Sequence, residues 1–167
     1  MAIEIGKYST PASLAVFAIT AATIAGAWGF QLIGGYIPCP LCLQQRWPYY
    51  AVIPLAFILF IFSRTLGAAG LVRLGMVVCG LIMLVSAGMG GHHSGVEWGW
   101  WEGPAACAGG AGLSADTVLP DLNNMTVVRC DEVQWRFLGL SFAGWNFVIS
   151  LIAALIAFRG ARRLLEP

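Results

Sequence analysis

Cysteine is the residue type here with chemistry to offer, and it occurs at positions 39, 42, 79, 107 and 130. Cys39 and Cys42 form a C-x-x-C pair inside "GYIPCPLCLQQRWPYY", followed at once by Arg46 and a long apolar run. Three chemistries use such a pair. A structural zinc knuckle needs a second ligand pair at similar close spacing, but Cys107 and Cys130 stand far apart and no histidine follows at finger spacing, so no metal is expected. An inert disulfide across so short a loop removes little unfolded-state entropy. Thiol–disulfide exchange has the more specific physical basis. Pro40 suits the first position of a helical turn, which sets Cys39 at the N-cap and Cys42 near the third position, among unpaired backbone N–H groups that favour a thiolate. Arg46 is four residues beyond Cys42, on the same helical face, where a cation lowers a thiol pKa below its free value of about 8.5. Pro48 limits that turn to the residues before Trp47. The thiolate is the nucleophile of exchange, so Cys39 and Cys42 are candidate catalytic residues.

The elements that must position these sulfurs are membrane helices. The chain is 59% hydrophobic and 10% charged, against roughly 25% charged in an ordinary soluble domain. Four stretches approach the ~20 apolar residues needed to cross a bilayer: about 11–33, 47–62, 71–90 and 142–158. The first also has the look of a signal peptide, with Lys7 and the triplet Ala25-Gly26-Ala27, yet apolarity continues through "WGFQLIGGYI", so a retained helix is expected. Pro48 opens the second span and Pro54 lies inside it, predicting a bend. Short loops between the first three spans predict an all-α membrane protein, a four-helix up-down bundle forming one domain.

Basic residues orient it. With both ends cytoplasmic, the inner set is Lys7, Arg64, Arg73, Arg159, Arg162 and Arg163, and the outer set is Arg46, Arg129 and Arg136, as the positive-inside rule demands. All seven tryptophans then fall near the outer ends of spans or in the outer loops, at the headgroup boundary they favour. The outer loops are about 34–46 and 91–140. The second is too long for a mere connector, and "SADTVLPDLNN" within it carries a weak amphipathic pattern. A net charge of +1 gives no field that argues for nucleic acid.

In this topology Cys39, Cys42, Cys107 and Cys130 all face an oxidising compartment. Cys79, in the middle of span three, reads as a small buried apolar side chain. Cys107 and Cys130 are each other's obvious partner, and their small and polar neighbours predict an exposed bridge open to attack by another protein's thiolate. As a plain loop staple that bridge would say nothing, but beside the C-x-x-C pair it suggests a relay. Arg46 reads either as an interfacial snorkeller or as a cation that stabilises charge on an electron acceptor. His92 and His93 end span three at the same level. No haem pattern, dinucleotide fingerprint or metal cluster is present, which leaves a lipid-soluble two-electron acceptor, with quinone the natural candidate.

"PCPLCLQQR" resembles the CxxC-x3-Arg segment of the bacterial disulfide bond formation protein B (DsbB) family, and "CDEVQWRFLGLSFAGWN" resembles that family's stretch from the last loop cysteine into the fourth helix. The resemblance covers nearly the whole chain. It implies a quinone-dependent thiol oxidase of the bacterial inner membrane, using ubiquinone or menaquinone, that reoxidises a DsbA-like periplasmic protein of the thioredoxin fold. By motif, Cys107 would form the mixed disulfide with that partner, Cys130 would exchange with Cys39, and Cys42 would face the quinone and pass electrons to it. Arg46 matches the family's quinone-site arginine. His93 matches its histidine by the following "SGVEW", with His92 one residue away. The Gly-rich "WEGPAACAGGAGLSADT" around Cys107 departs from the family's pattern.

Two readings from other classes compete. A non-enzymatic membrane scaffold would use Cys107 and Cys130 to staple its outer loop. Transport lacks support, because no span carries an ionisable residue at mid-depth.

Overall fold

The computed structural model describes residues 2–65, 69–104, 107 and 128–163. Four long helices, α1 (Ala2–Leu32), α3 (Trp47–Thr65), α4 (Ala69–Glu97) and α5 (Phe142–Arg163), are joined by a five-residue helix α2 (Pro40–Gln44) and a two-stranded ribbon, β1 (Arg136–Phe137) and β2 (Leu140–Ser141). Each long helix contains a segment long and apolar enough to cross a membrane: Pro11–Leu32, Pro40–Arg64 (α2 and α3 together), Ala69–Glu97 and Phe142–Arg163. The molecule is a four-helix membrane bundle. The helices pack in a ring, α1 on α3, α3 on α4, α4 on α5 and α5 back on α1, while the diagonal pair α1 and α4 barely touch. Cys107 apart, residues 105–127 are outside the described set, and with them the amphipathic pattern of residues 114–124.

Burial runs opposite to that of a soluble protein. Leu71, Leu74, Leu81, Leu84 and Val85 of α4, and Phe57, Ile58 and Ile61 of α3, face outward. Inside lie Ser13, Thr20, Ser63, Ser86 and Ser150 among Val16, Val52, Met76, Met83 and five alanines of α5. Lipid is as apolar as leucine, so helices associate through close backbone approach and interhelical polar contacts rather than by hiding large side chains. Ala153, Ala157 and Ala161 recur at four-residue spacing on the buried face of α5. Cys79 is completely buried in the same core, as its sequence context implies.

Span three is longer than its apolar run suggests. Helix α4 continues past Gly90-Gly91 through both histidines to Glu97, because Gly90 and Gly95 are contact surfaces rather than stop signals. A Cβ on Gly90 would lie 2.8 Å from the Phe147 backbone nitrogen and 3.0 Å from the Ala143 carbonyl, and one on Gly95 would overlap the Trp101 ring.

Helix α5 is started by a tight ribbon. Leu138 and Gly139 both have positive φ (51° and 83°), the requirement of a two-residue hairpin turn whose twist matches its strands. Ser141 then caps α5, its Oγ accepting from the Gly144 N–H at 3.2 Å. Phe142 packs edge-on against Phe30 of α1 at 4.9 Å and stacks on Trp135 at 4.8 Å, so the segment returning from Cys130 is clamped to the C-terminal end of α1.

Gly90→Val is expected to force α4 and α5 apart and to destabilise the bundle by about 1–3 kcal/mol, read as a lower unfolding midpoint in detergent. Gly88→Ala, where nothing lies within 4 Å of the added carbon, should leave that midpoint unchanged.

Candidate functional site

Pro40 does start a helical turn, with Cys39 as its N-cap. The Cys42 N–H donates to Cys39 Sγ at 3.2 Å, the side-chain-to-third-residue bond that serine or aspartate usually makes at this position. The turn ends at Gln44 with Gln45 as C-cap, so the face that would carry Arg46 alongside Cys42 is not continued. Arg46 instead donates to Gln31 Oε1 at 2.7 Å and lies over the Trp28 ring at 5.2 Å. Both partners belong to α1. The guanidinium is therefore aimed at α1 and the cavity rather than at the Cys42 sulfur.

The sulfur that receives the stabilisation is Cys39. It is 3% exposed, and burial alone would raise its pKa. A hydrogen bond from the Cys42 thiol outweighs that burial, and His93 Nε2, 3.7 Å from Cys39 Sγ, and the Cys42 N–H add to it. The net result holds the Cys39 thiol well below its ordinary value, so the thiolate character expected for Cys42 falls on its neighbour.

His93 is brought here by the extra turns of α4. It is buried, and its Nε2 lies 3.2 Å from the Cys130 carbonyl oxygen. His92 points away, exposed and stacked on Trp101 at 5.5 Å, while the Trp101 indole donates to the His92 carbonyl at 2.9 Å. The helix thus sends adjacent histidines to opposite environments, and only His93 shares a cavity with the cysteines.

Cys107 and Cys130 are joined in a disulfide across a sequence separation of 23. Its exposure is where expectation fails: Cys107 is 5% and Cys130 1% exposed. The bridge packs with Cys39, Leu41 and Val96 in one buried cluster, with Cys42 and Val128 alongside. Local composition suggested an open loop, but the surface that covers these sulfurs comes from α2 and the C-terminal end of α4, which no local stretch of sequence contains. Cys39, Cys42 and Cys79 are free thiols.

Beneath the cluster is a cavity of about 410 Å³, within the range of small-molecule sites. Its wall is mostly apolar, from Ala22, Gly26, Ala27 and Phe30 of α1 to Phe142 and Ile149 of α5, with Gln31, Cys42, Arg46, His93 and Glu97 as polar points. Ser141 Oγ donates to Glu97 Oε2. Cys39, Cys42 and His93 could each offer one metal-ligand atom, all within 4.8 Å of one another. A closed zinc site takes four ligands, and no fourth Cys, His, Asp or Glu joins these three among the described residues.

Several polar residues of this region carry no motif. Gln45 is buried and Asn146 half-buried, and their side chains join at 2.7 Å. Tyr49 donates to Asn146 Oδ1 at 2.6 Å. The signal that could have found them is their isolation, since a lone amide inside an apolar span is costly unless it is used.

Fold and site together define a multi-pass membrane protein with two cysteine pairs gathered at one end of a helical bundle. Residues 9–159 match the family described as Disulfide bond formation protein DsbB, and the chain belongs to it. The chain is 33% identical over 157 residues to Disulfide bond formation protein B of Marinobacter nauticus, with 89% of each chain covered. It is 30% identical over 163 residues to the protein of that name from Azoarcus sp., covering 93% of each, and 31% identical over 156 residues to that of Nitrosomonas europaea, covering 86% of this chain and 88% of the relative. No solved structure matches. The protein is accordingly a membrane protein of disulfide bond formation.

The electrostatics of Cys39 have a directional consequence. A depressed thiol pKa keeps the reactive anion present at neutral pH and loses it only on acidification. In the dithiol form, peptide-resolved alkylation should label Cys39 at pH 7 far faster than Cys79, and Cys39 labelling should decline only well below the usual thiol value of about 8.5. Equal rates for the two would contradict the arrangement.

Proposed function

We propose that the chain is a thiol:quinone oxidoreductase of the bacterial inner membrane, with both termini cytoplasmic and the cysteines on the periplasmic side. It reoxidises a DsbA-like dithiol protein of the thioredoxin fold and delivers the electrons to ubiquinone or menaquinone. The observation that carries this reading is the single buried cluster containing the Cys107–Cys130 disulfide, Cys39 and Cys42, set over a mostly apolar cavity. The six-to-three division of basic residues supports the orientation.

In the proposed sequence, a partner thiolate attacks Cys107 Sγ, breaks its bond to Cys130 and frees Cys130 as a thiolate. The partner's second thiol then displaces Cys107, and the partner leaves oxidised. With Cys39 and Cys42 joined as a disulfide, Cys130 attacks Cys39 and releases Cys42. Cys107 next attacks Cys130, restoring the Cys107–Cys130 bond and releasing Cys39, whose charge is received by the Cys42 N–H and His93. One electron pair now resides in the Cys39/Cys42 dithiol, and two protons must leave with it when that pair is oxidised.

A bound quinone supplies a two-electron, two-proton acceptor. The residues present fit one: the volume and apolar wall suit a ring, Arg46 offers donors for its oxygens, and Cys42 and His93 line the same cavity. The alternative of a disulfide-stapled scaffold assigns no use to a free Cys39/Cys42 pair, to a stabilised Cys39 or to the cavity.

Mixing the purified protein with a reduced thioredoxin-fold partner and a soluble quinone should bleach the quinone absorbance. Cys39→Ser and Cys42→Ser should each abolish turnover; activity retained in both would end the proposal. Arg46→Met should raise the KM for quinone about tenfold, the size of one lost hydrogen bond from a charged group, while leaving exchange between Cys130 and Cys39 intact.

A further inference from the structure

The stabilised sulfur is connected to the interior of the bundle by a continuous line of hydrogen bonds, and both ends of that line have a fixed polarity. At the outer end, His93 Nε2 faces Cys39 Sγ at 3.7 Å and the Cys130 carbonyl at 3.2 Å. A carbonyl only accepts, so Nε2 must carry a proton. On the other side of the ring, Nδ1 lies 2.7 Å from Gln45 Nε2, an amide nitrogen that only donates. Nδ1 is then a bare acceptor, and the ring is neutral.

The orientation of the Gln45 amide is in turn set from within. Gln45 Oε1 accepts from Asn146 Nδ2 at 2.7 Å, and the same Asn146 nitrogen faces the Ser86 carbonyl at 3.4 Å. Asn146 Oδ1 accepts from the Tyr49 hydroxyl at 2.6 Å. Ser150 Oγ lies 2.8 Å from Tyr49 Oη and 2.9 Å from Ser86 Oγ, tying α3, α4 and α5 together at that level. Reversing either amide sets like against like. A turned Asn146 points its oxygen at the Ser86 carbonyl, and a turned Gln45 alone opposes its NH2 to that of Asn146. Two backbone carbonyls, Ser86 at one end and Cys130 at the other, therefore select one proton arrangement for the whole line.

We propose that Gln45 and Asn146 are positioning residues that hold His93 as the neutral Nε2–H tautomer aimed at Cys39. The imidazole is thereby a fixed hydrogen-bond donor to the departing Cys39 thiolate instead of a base that takes up its proton. Its Nδ1 cannot collect a proton while the Gln45 N–H group occupies it, so the proton released by the dithiol leaves by another route. This deepens the proposed exchange reaction and rests on it for its catalytic meaning, but the tautomer and the Cys39 reactivity are measurable with neither partner nor quinone, so either reading can fail alone.

The direct test is the histidine 15N spectrum of the full chain in its dithiol form, labelled at histidine, with His92→Gln used to assign the signal. The wild type should show an unprotonated Nδ1 and a protonated Nε2. Gln45→Met removes the donor that holds Nδ1 and should slow alkylation of Cys39 at pH 7 about tenfold, as loss of one hydrogen bond to a charged group implies. Gln45→Glu offers a carboxylate that accepts from Nδ1, so both ring nitrogens should become protonated while Cys39 reactivity is retained, a rescue that a space-filling role would not produce. Asn146→Asp withdraws the donor from Gln45 Oε1; the Gln45 amide should turn over, and Nδ1 should gain a proton. A wild-type spectrum with Nδ1 protonated overturns the proposal, and so does an unaltered tautomer in Asn146→Asp.

Discussion

A sulfur anion buried at the end of an apolar bundle is tolerable only where donors converge on it, and the placement of Cys39 is the constraint around which the cysteine-bearing half of this protein is arranged. Removing a charge from water is expensive. The cost is met by the Cys42 N–H from the first turn of α2, by the Cys42 thiol and by the His93 imidazole from α4. Each donor comes from a different structural decision. Pro40 makes the turn, α4 has to continue about a turn past Gly90 to carry His93, and the segment ending at Cys130 has to return to give its carbonyl to the same ring.

The inner half makes that convergence possible. Small residues let α4 and α5 approach closely enough for Gly90 to touch the Phe147 backbone and for Gly80 to lie under Phe158. At that separation the Ser86, Asn146 and Ser150 side chains meet across the interface and reach Tyr49 of α3. Such contacts are worth only about 1 kcal/mol each in a membrane protein. Their value here is directional, because a hydroxyl and two amides in line transmit an orientation that a leucine contact could not.

How much of this the sequence disclosed depends on how local each cause is. Pro40 next to Cys39 sets its own turn, so the N-cap was legible from two residues. Four apolar runs sufficed for the bundle, since length is counted along the chain. The end of α4 was not legible, because Gly90-Gly91 reads as a terminator until Phe147 is known to lie against it. Arg46 was misdirected for a related reason: helical spacing put it beside Cys42, but the turn stops at Gln44 and Gln31 of α1 offers a better acceptor. The burial of the Cys107–Cys130 bridge was hidden completely, since Leu41 and Val96 are remote from both cysteines in sequence.

The same depressed acidity that stabilises Cys39 also biases the direction of the proposed exchange. In a mixed disulfide between Cys39 and Cys130, attack by Cys107 on Cys130 expels Cys39, and a thiol of lower pKa leaves faster. The reverse reaction needs the Cys39 thiolate as nucleophile, and nucleophilicity falls as pKa falls. Donors gathered on one sulfur therefore favour closure of the loop disulfide and retention of the electron pair by Cys39 and Cys42. That product has Cys107 bonded to Cys130 and both members of the C-x-x-C pair as thiols. Cys42, released from the mixed disulfide first and bordering the cavity, is left as the sulfur through which that pair can depart.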